Sequence, residues 1–123
     1  MWITPASAVV AVPTLRFVGK FIYGVTASSV EIEDRVLAHL RMVMMHKLRR
    51  GEPFMFDVEV PATDGSGRRS FWIHPGVPLQ FHFFGSRMPS INRAWVDELL
   101  ISANSVGGLT LHPEPELQRD VAS

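Results

Sequence analysis

One amphipathic segment with clear ends constrains the fold of this chain most strongly. From residue 34 onward, apolar side chains recur at spacings of three and four residues, which gives a helix one continuous apolar stripe. Asp34 is suited to cap the start of this helix, and Gly51 followed by Pro53 predicts its end. The stripe consists of Val36, Leu37, Leu40, Val43, Met44 and Leu48. Such a stripe needs a sheet or another helix to cover it.

The segments around this helix predict strands and a second helix. Alternating apolar and polar residues indicate strands at 15–23, 30–33, 54–60, 71–74, 79–83 and 109–111. Turns are predicted at Ser28-Ser29 and at Asp64-Gly65. Ser90 or Asn92 is expected to cap a second helix that reaches about residue 102. We predict an α+β domain with a single, mostly antiparallel sheet of about six strands and both helices packed on one face, in the order ββαβββαβ.

Length and composition predict one domain in a reducing compartment. A chain of 123 residues fits a single domain, here at 19–115, with an N-terminal extension or extra edge strand at 1–18 and a frayed tail at 116–123. The absence of cysteine excludes disulfides and thiolate metal sites, and favours a cytoplasmic location. No apolar run approaches the ~20 residues of a membrane span, so no membrane partner is expected.

Several short motifs point to a family. They lie at 34–40, 47–52, 72–75, 78–81, 85–87, 92–95 and 102–105. Over roughly Gly19 to Pro115 they resemble a family of short bacterial proteins of unknown function whose members often carry the label ATP-dependent DNA ligase. Nucleotidyl transfer requires a lysine nucleophile in a Lys-x-Asp-Gly-x-Arg pattern. Here Ala62 stands in the place of the lysine, and one extra residue displaces Arg68. No catalytic residue is therefore predicted.

The start of the second helix is a candidate anion or phosphate site. A helix N-terminus presents unpaired N–H groups and a partial positive charge, and arginine side chains beside it can hold a phosphate or carboxylate. The alternative is ordinary helix capping with surface ion pairs. The residues concerned are Ser86, Arg87, Ser90, Asn92 and Arg93.

The outer side of the first helix is a candidate basic face. By helical angle, five basic side chains fall on one side, which suits a nucleic acid backbone or an acidic partner. The alternative is a solvated face, with cations near the helix C-terminus because the helix dipole favours positive charge there. Met42 and Met45 favour a protein contact, because methionine adapts to irregular partners. The basic residues are Arg35, His39, His46, Arg49 and Arg50.

No metal or cofactor site is predicted. The five histidines lack standard ligand spacings, and His74 and His82 would supply two ligands at most, across neighbouring strands. Neither a nucleotide-binding glycine loop nor a Gly-x-Ser-x-Gly elbow occurs.

Three functions remain open. The leading hypothesis is a non-enzymatic interaction module whose open sheet face, with Trp72 and Phe84 pointing outward, self-associates or docks a protein partner. The alternative is a nucleic-acid-associated accessory domain, although a net charge of zero argues against it. A ligase-type enzyme is the weakest, because it depends only on the label. The arginines of the nucleic-acid hypothesis are Arg35, Arg49, Arg50, Arg68, Arg69, Arg87 and Arg93.

Overall fold

A computed structural model describes residues 17–60 and 67–116, which form six strands and two helices of an α+β fold. Residues 1–16 of the predicted N-terminal extension or extra edge strand, the Asp64-Gly65 turn and the tail beyond residue 116 lie outside the described residues. In chain order the elements are β1 (Val18–Tyr23), β2 (Ser28–Glu33), α1 (Asp34–Arg49), β3 (Phe54–Glu59), β4 (Arg68–Ile73), β5 (Leu79–His82), α2 (Arg93–Ala103) and β6 (Leu109–Thr110).

The strands form two small sheets, so the prediction of a single sheet was wrong. The first sheet has the order β2-β1-β5 and is antiparallel throughout. The second has the order β4-β3-β6, in which β4 is antiparallel and β6 parallel to β3. The helices do not share one sheet face either, because α1 packs on β1 and β2 whereas α2 packs on β3 and β6.

The connection between β4 and β5 explains the split into two sheets. It contains Pro75 and Pro78, which fix two φ angles and remove two backbone donors. A turn closes inside this connection, where Val77 N donates to His74 O at 3.2 Å. The chain therefore does not return along β4 as a hairpin, and β5 pairs with β1 instead.

The first hairpin turns earlier than predicted. Ser28 and Ser29 belong to β2, and the turn is formed by residues 24–27. Gly24 has φ +87° and Ala27 has φ +56°. The Gly24 N–H also donates to Pro78 O at 2.9 Å, which ties this turn to the start of β5.

The two ends of α1 differ in how they are held. At the C-terminus, Gly51 N donates to Leu48 O and Glu52 N donates to Lys47 O, with Gly51 at φ +72°. These two bonds form a Schellman motif, as the position of Gly51 predicted. At the N-terminus, the expected capping role of Asp34 was wrong, because Glu33 is the N-cap residue and makes no side-chain cap bond.

Asp34 instead fastens the loop that follows β5. It is the first residue of α1 and is buried, and its carboxylate accepts hydrogen bonds from Phe84 N at 3.0 Å and Gly85 N at 2.8 Å. This carboxylate therefore holds the loop at the end of the first sheet to α1.

One core joins both sheets and both helices. The Phe21 ring lies 5.5 Å from Phe56 and 5.6 Å from Phe71, which places it between the two sheets. Tyr23 OH donates to Trp72 O, and Arg69 Nη1 donates to Ser29 O at 2.8 Å. The sheets are thus connected by aromatic packing inside and by side-chain hydrogen bonds at their rims.

In the part of the chain that the structure describes, neither helix is long and apolar enough to cross a membrane.

Candidate functional site

A polar cluster joins the start of α2 to the chain after β6; we call Arg35, His39, Asn92 and Glu114 the polar clasp. Arg35 forms a two-pronged ion pair with Glu114, with Nε–Oε1 at 2.8 Å and Nη2–Oε2 at 2.6 Å. Its remaining nitrogen, Nη1, donates to Ser90 O at 3.0 Å. The guanidinium therefore connects α1 to the loop before α2 and to the segment after β6.

Asn92 is the centre of the polar clasp. It is 1% exposed, and its Oδ1 accepts from Ala94 N at 3.1 Å and Trp95 N at 3.4 Å, as an N-cap does. Its Nδ2 donates to Glu114 Oε2 at 2.9 Å and to Pro115 O at 3.1 Å. All the hydrogen-bonding capacity of this amide is therefore used inside the molecule.

His39 completes the polar clasp as a neutral ring. Its Nε2 accepts from Asn92 N at 2.8 Å, so Nδ1 carries the proton and donates to Arg35 O at 2.7 Å. The ring is fully buried, with its centre 4.5 Å from the Trp95 ring. Burial lowers the pKa of His39, because the charged form loses its hydration.

The ion pair between Arg35 and Glu114 shifts the pKa values of both residues. The hydrogen bonds from Arg35, with a smaller contribution from Asn92, lower the pKa of Glu114 to about 2. The hydrogen bond to Glu114 raises the pKa of Arg35. Both groups therefore stay charged at neutral pH.

The predicted anion-site residues differ in burial. Asn92 is buried in the polar clasp, whereas Ser86, Arg87, Ser90 and Arg93 have exposed side chains. Ser90 contributes its backbone oxygen to Arg35. The carboxylate that Asn92 and Arg35 bind in this region is the chain's own Glu114. Glu114 was predicted to lie inside the domain but without a role, and Pro113 and Pro115 on either side of it restrict this segment.

The predicted basic face is also divided. His39 is buried, so its assignment to an exposed face was wrong: α2 packs against that side of α1 and brings Trp95 onto the ring. Arg35 is paired with Glu114, and Arg50 Nε lies 3.1 Å from Glu52 Oε2. His46 and Arg49 remain exposed.

The histidines do not gather into a metal site in the described ranges, where no group of three or more potential ligands occurs. His82 belongs to β5 in the first sheet, and His74 follows β4 of the second. The expectation that they face each other on neighbouring strands was therefore wrong.

An apolar groove lies between α1 and the edge of the first sheet; we call it the methionine groove. It has a volume of about 440 Å³. Apolar side chains form its floor and walls, two arginines lie among them, and no carboxylate of the described residues contributes. Its lining residues are Arg41, Met44, Met45, Leu48, Arg49, Pro75, Val77, Leu79 and Phe81. Sequence reasoning identified Met45 and Arg49 as surface residues but not the opposite wall, which β5 and the turn before it supply.

The aromatic residues predicted to point outward are indeed exposed. Trp72 is 53% exposed on β4, opposite Met55 of β3, and Phe84 is 70% exposed and stacks on Phe17 at 5.5 Å. They belong to different parts of the molecule, because Phe84 follows the first sheet and Trp72 lies in the second. They do not form one aromatic sheet face.

Comparison with known protein families places the chain in one whose function is not known. The family described as "Domain of unknown function (DUF7882)" matches residues 18–114. No curated protein and no solved structure matches the chain.

Proposed function

We propose that this chain, which belongs to the DUF7882 family, is a non-enzymatic interaction module that docks a protein partner in the methionine groove. One observation carries the proposal: an open apolar groove of about 440 Å³ persists beside a well-packed core. Apolar surface of this kind is costly to leave in water and commonly marks a binding site.

The chemistry of the groove favours binding over catalysis. Its lining contains arginine, methionine, leucine, proline, valine and phenylalanine, so it offers neither a nucleophile nor a general base. Four titratable groups have shifted pKa values, namely Arg35, His39, Glu52 and Glu114. Each of them bonds to another residue of the chain, and none of them lines the groove.

The groove also has adaptable walls. Met44 and Met45 are adjacent on α1, and Met45 is 36% exposed. Methionine has an unbranched, polarisable side chain that packs against partners of different shapes. The rigid Pro75 on the opposite side gives such a partner one fixed wall.

The nucleic-acid alternative has less support. Three of its seven arginines are engaged inside the molecule: Arg35 with Glu114, Arg50 with Glu52, and Arg69 with Ser29 O. A groove with a largely apolar lining suits a protein surface better than a phosphate backbone.

Peptide selection against the immobilised full chain tests the proposal. We expect selected peptides to bind the parent and to lose about tenfold or more in affinity on Val77→Glu, which places a charge in the groove. Ile101→Glu is the matched control, because Ile101 is 72% exposed on α2 and away from the groove. Selected peptides that bind Val77→Glu as tightly as the parent would refute the docking site.

A further inference from the structure

β5 is the edge of the first sheet that lies beside the methionine groove. Among the residues that the structure describes, the strand order β2-β1-β5 leaves β5 with a partner strand on one side only. An edge strand presents unpaired N–H and C=O groups, which can pair with an added chain. The groove therefore adjoins a line of backbone hydrogen-bonding groups as well as apolar side chains.

The geometry identifies which backbone groups of β5 face away from β1. Pro78 O accepts from Gly24 N, so the carbonyl of residue 78 points toward β1. Backbone groups alternate along a strand in their direction, and the register pairs Ile22 with Gln80 and Lys20 with His82. The N–H and C=O groups of Gln80 and His82 therefore also point toward β1, and those of Leu79 and Phe81 point to the free edge.

Leu79 and Phe81 also supply the side chains on the groove wall. Both are partly exposed, and both line the methionine groove. A strand added next to β5 would thus bond to their backbone groups while its own inward side chains entered the groove, since successive side chains point to opposite faces.

The edge of β2 and the strand β4 are engaged by side chains. Arg69 Nη1 donates to Ser29 O at the edge of β2. Trp72 O of β4 accepts from Tyr23 OH. Within residues 17–60 and 67–116, no comparable side-chain bond to the backbone of Leu79 or Phe81 is found. The β5 edge is therefore the better place for an added strand.

The charge of the groove indicates which strand fits. Within residues 17–60 and 67–116, Arg41 and Arg49 line it and no carboxylate does, and the neighbouring Arg50 is paired with Glu52. An incoming strand with carboxylates beside its apolar side chains would be attracted, and one with lysines would be repelled.

We infer that the methionine groove binds an extended segment of another protein, with alternating apolar side chains and acidic neighbours, which adds to the first sheet as a fourth strand next to β5. This inference rests on the proposed function and specifies the chemistry and the backbone pairing of the partner. Strand addition of this kind draws affinity from main-chain hydrogen bonds and specificity from pockets for alternate side chains.

Amide hydrogen exchange by NMR on the full chain tests the backbone pairing. The probe is a synthetic peptide of about eight residues that alternates leucine or valine with glutamate or threonine, long enough to span a strand. In the free protein, we expect the amides of Gln80 and His82 to exchange slowly and those of Leu79 and Phe81 to exchange fast. On binding, the Leu79 and Phe81 amides should become protected. Fast exchange at both residues in a saturated complex would overturn the strand-addition inference.

A charge-swap experiment tests the acidic preference. Fluorescence anisotropy should show the glutamate peptide binding about tenfold or more tightly than a twin peptide with lysine in place of glutamate. Replacing two attractive charge pairs of ordinary strength by repulsive ones changes the affinity by about that factor. Arg41→Glu combined with Arg49→Glu should reverse the order. Equal binding of both peptides to the parent would contradict the proposed chemistry.

The outcomes separate this inference from the proposed function. Selected peptides that are sensitive to Val77→Glu but neither protect the Leu79 amide nor prefer carboxylates would reject strand addition and leave the docking site intact. If the peptides showed neither sensitivity to Val77→Glu nor the signs of strand addition, both the docking site and strand addition would be rejected. Protection of Leu79 and Phe81 that rises with protein concentration without peptide would instead identify a second copy as the occupant and overturn the inference.

Discussion

The polar clasp and the methionine groove both include residues of α1. They differ in how completely their side chains are bonded or covered by other parts of the molecule. In the clasp, Asn92 bonds through all its polar atoms and Glu114 is held by Arg35. In the groove, Leu79 and Phe81 are only partly covered. A concentration of polar residues can therefore serve cohesion, whereas incomplete apolar cover is the feature on which the proposed docking site rests.

The largest expected effect comes from removing the centre of the clasp. Asn92→Ala deprives two helix N–H groups of their acceptor in a buried position, and we expect the free energy of unfolding to fall by about 2–3 kcal/mol. Urea denaturation measures this loss. Ser86→Ala is the control, because Ser86 is exposed, and it should change stability by less than about 0.5 kcal/mol. Equal effects of the two substitutions would mean that the clasp does not support the fold.

His39 should give the clasp a pH dependence that the groove lacks. Because burial lowers the pKa of His39 in the folded state, the unfolded state binds more protons below pH 6.5. The stability that the neutral ring contributes is therefore present above pH 6.5 and is lost as the pH falls through that value toward the folded pKa. His39→Gln should flatten the profile of unfolding free energy in this range, and an unchanged slope would contradict the assignment.

Glu114→Gln should have a smaller effect, with a pH window of the same direction as that of His39 but at lower pH. Arg35 holds the pKa of Glu114 at about 2, below its ordinary 4.5, so the contribution is complete above pH 4.5 and is lost as the pH falls through 2. For a pair that remains partly exposed to solvent, we expect a loss of about 1 kcal/mol at pH 7. Glu116→Gln is the control, two residues away and exposed, and the unfolding free energies of the two variants should converge as the pH falls below 2.

The smallest expected effect on stability lies in the groove. Met45→Gln changes a side chain that is 36% exposed, and we expect the free energy of unfolding to stay within about 0.5 kcal/mol of the parent. The same variant should weaken a groove-binding peptide, which calorimetry can measure. A large loss of stability would mean that the groove is a part of the core, which would weaken the contrast with the clasp.

Local elements were predictable because their causes are local. The periodicity of α1 and the glycine after it determined the helix and its Schellman end, and alternation identified β3 and β5. What each strand pairs with was not predictable in the same way. A strand pattern specifies one buried face and leaves the partner open, so the pairing of β5 with β1 depended on a proline-containing turn.

The candidate site was predicted less well, for a related reason. Helical angle placed His39 on the polar side of α1, but the side chain is buried because α2 packs there as well. The apolar stripe of a helix identifies the main element that packs against it, but it does not identify a second packing element. Similarly, Asn92 was identified as a polar residue at a helix start, while its contact with Glu114 joins segments that the sequence gives no reason to bring together.

The pairing of strands has a consequence for synthesis of the chain. Each sheet consists of a local hairpin, β1-β2 or β3-β4, completed by a strand from much later in the sequence. Hairpins close within microseconds, whereas pairing across long loops is slow. At a translation rate of about 5–20 residues per second, the hairpins and α1 emerge seconds before β6 does. During that interval the nascent chain exposes apolar surface, so the last strands to leave the ribosome determine when the domain stops being a target for chaperones.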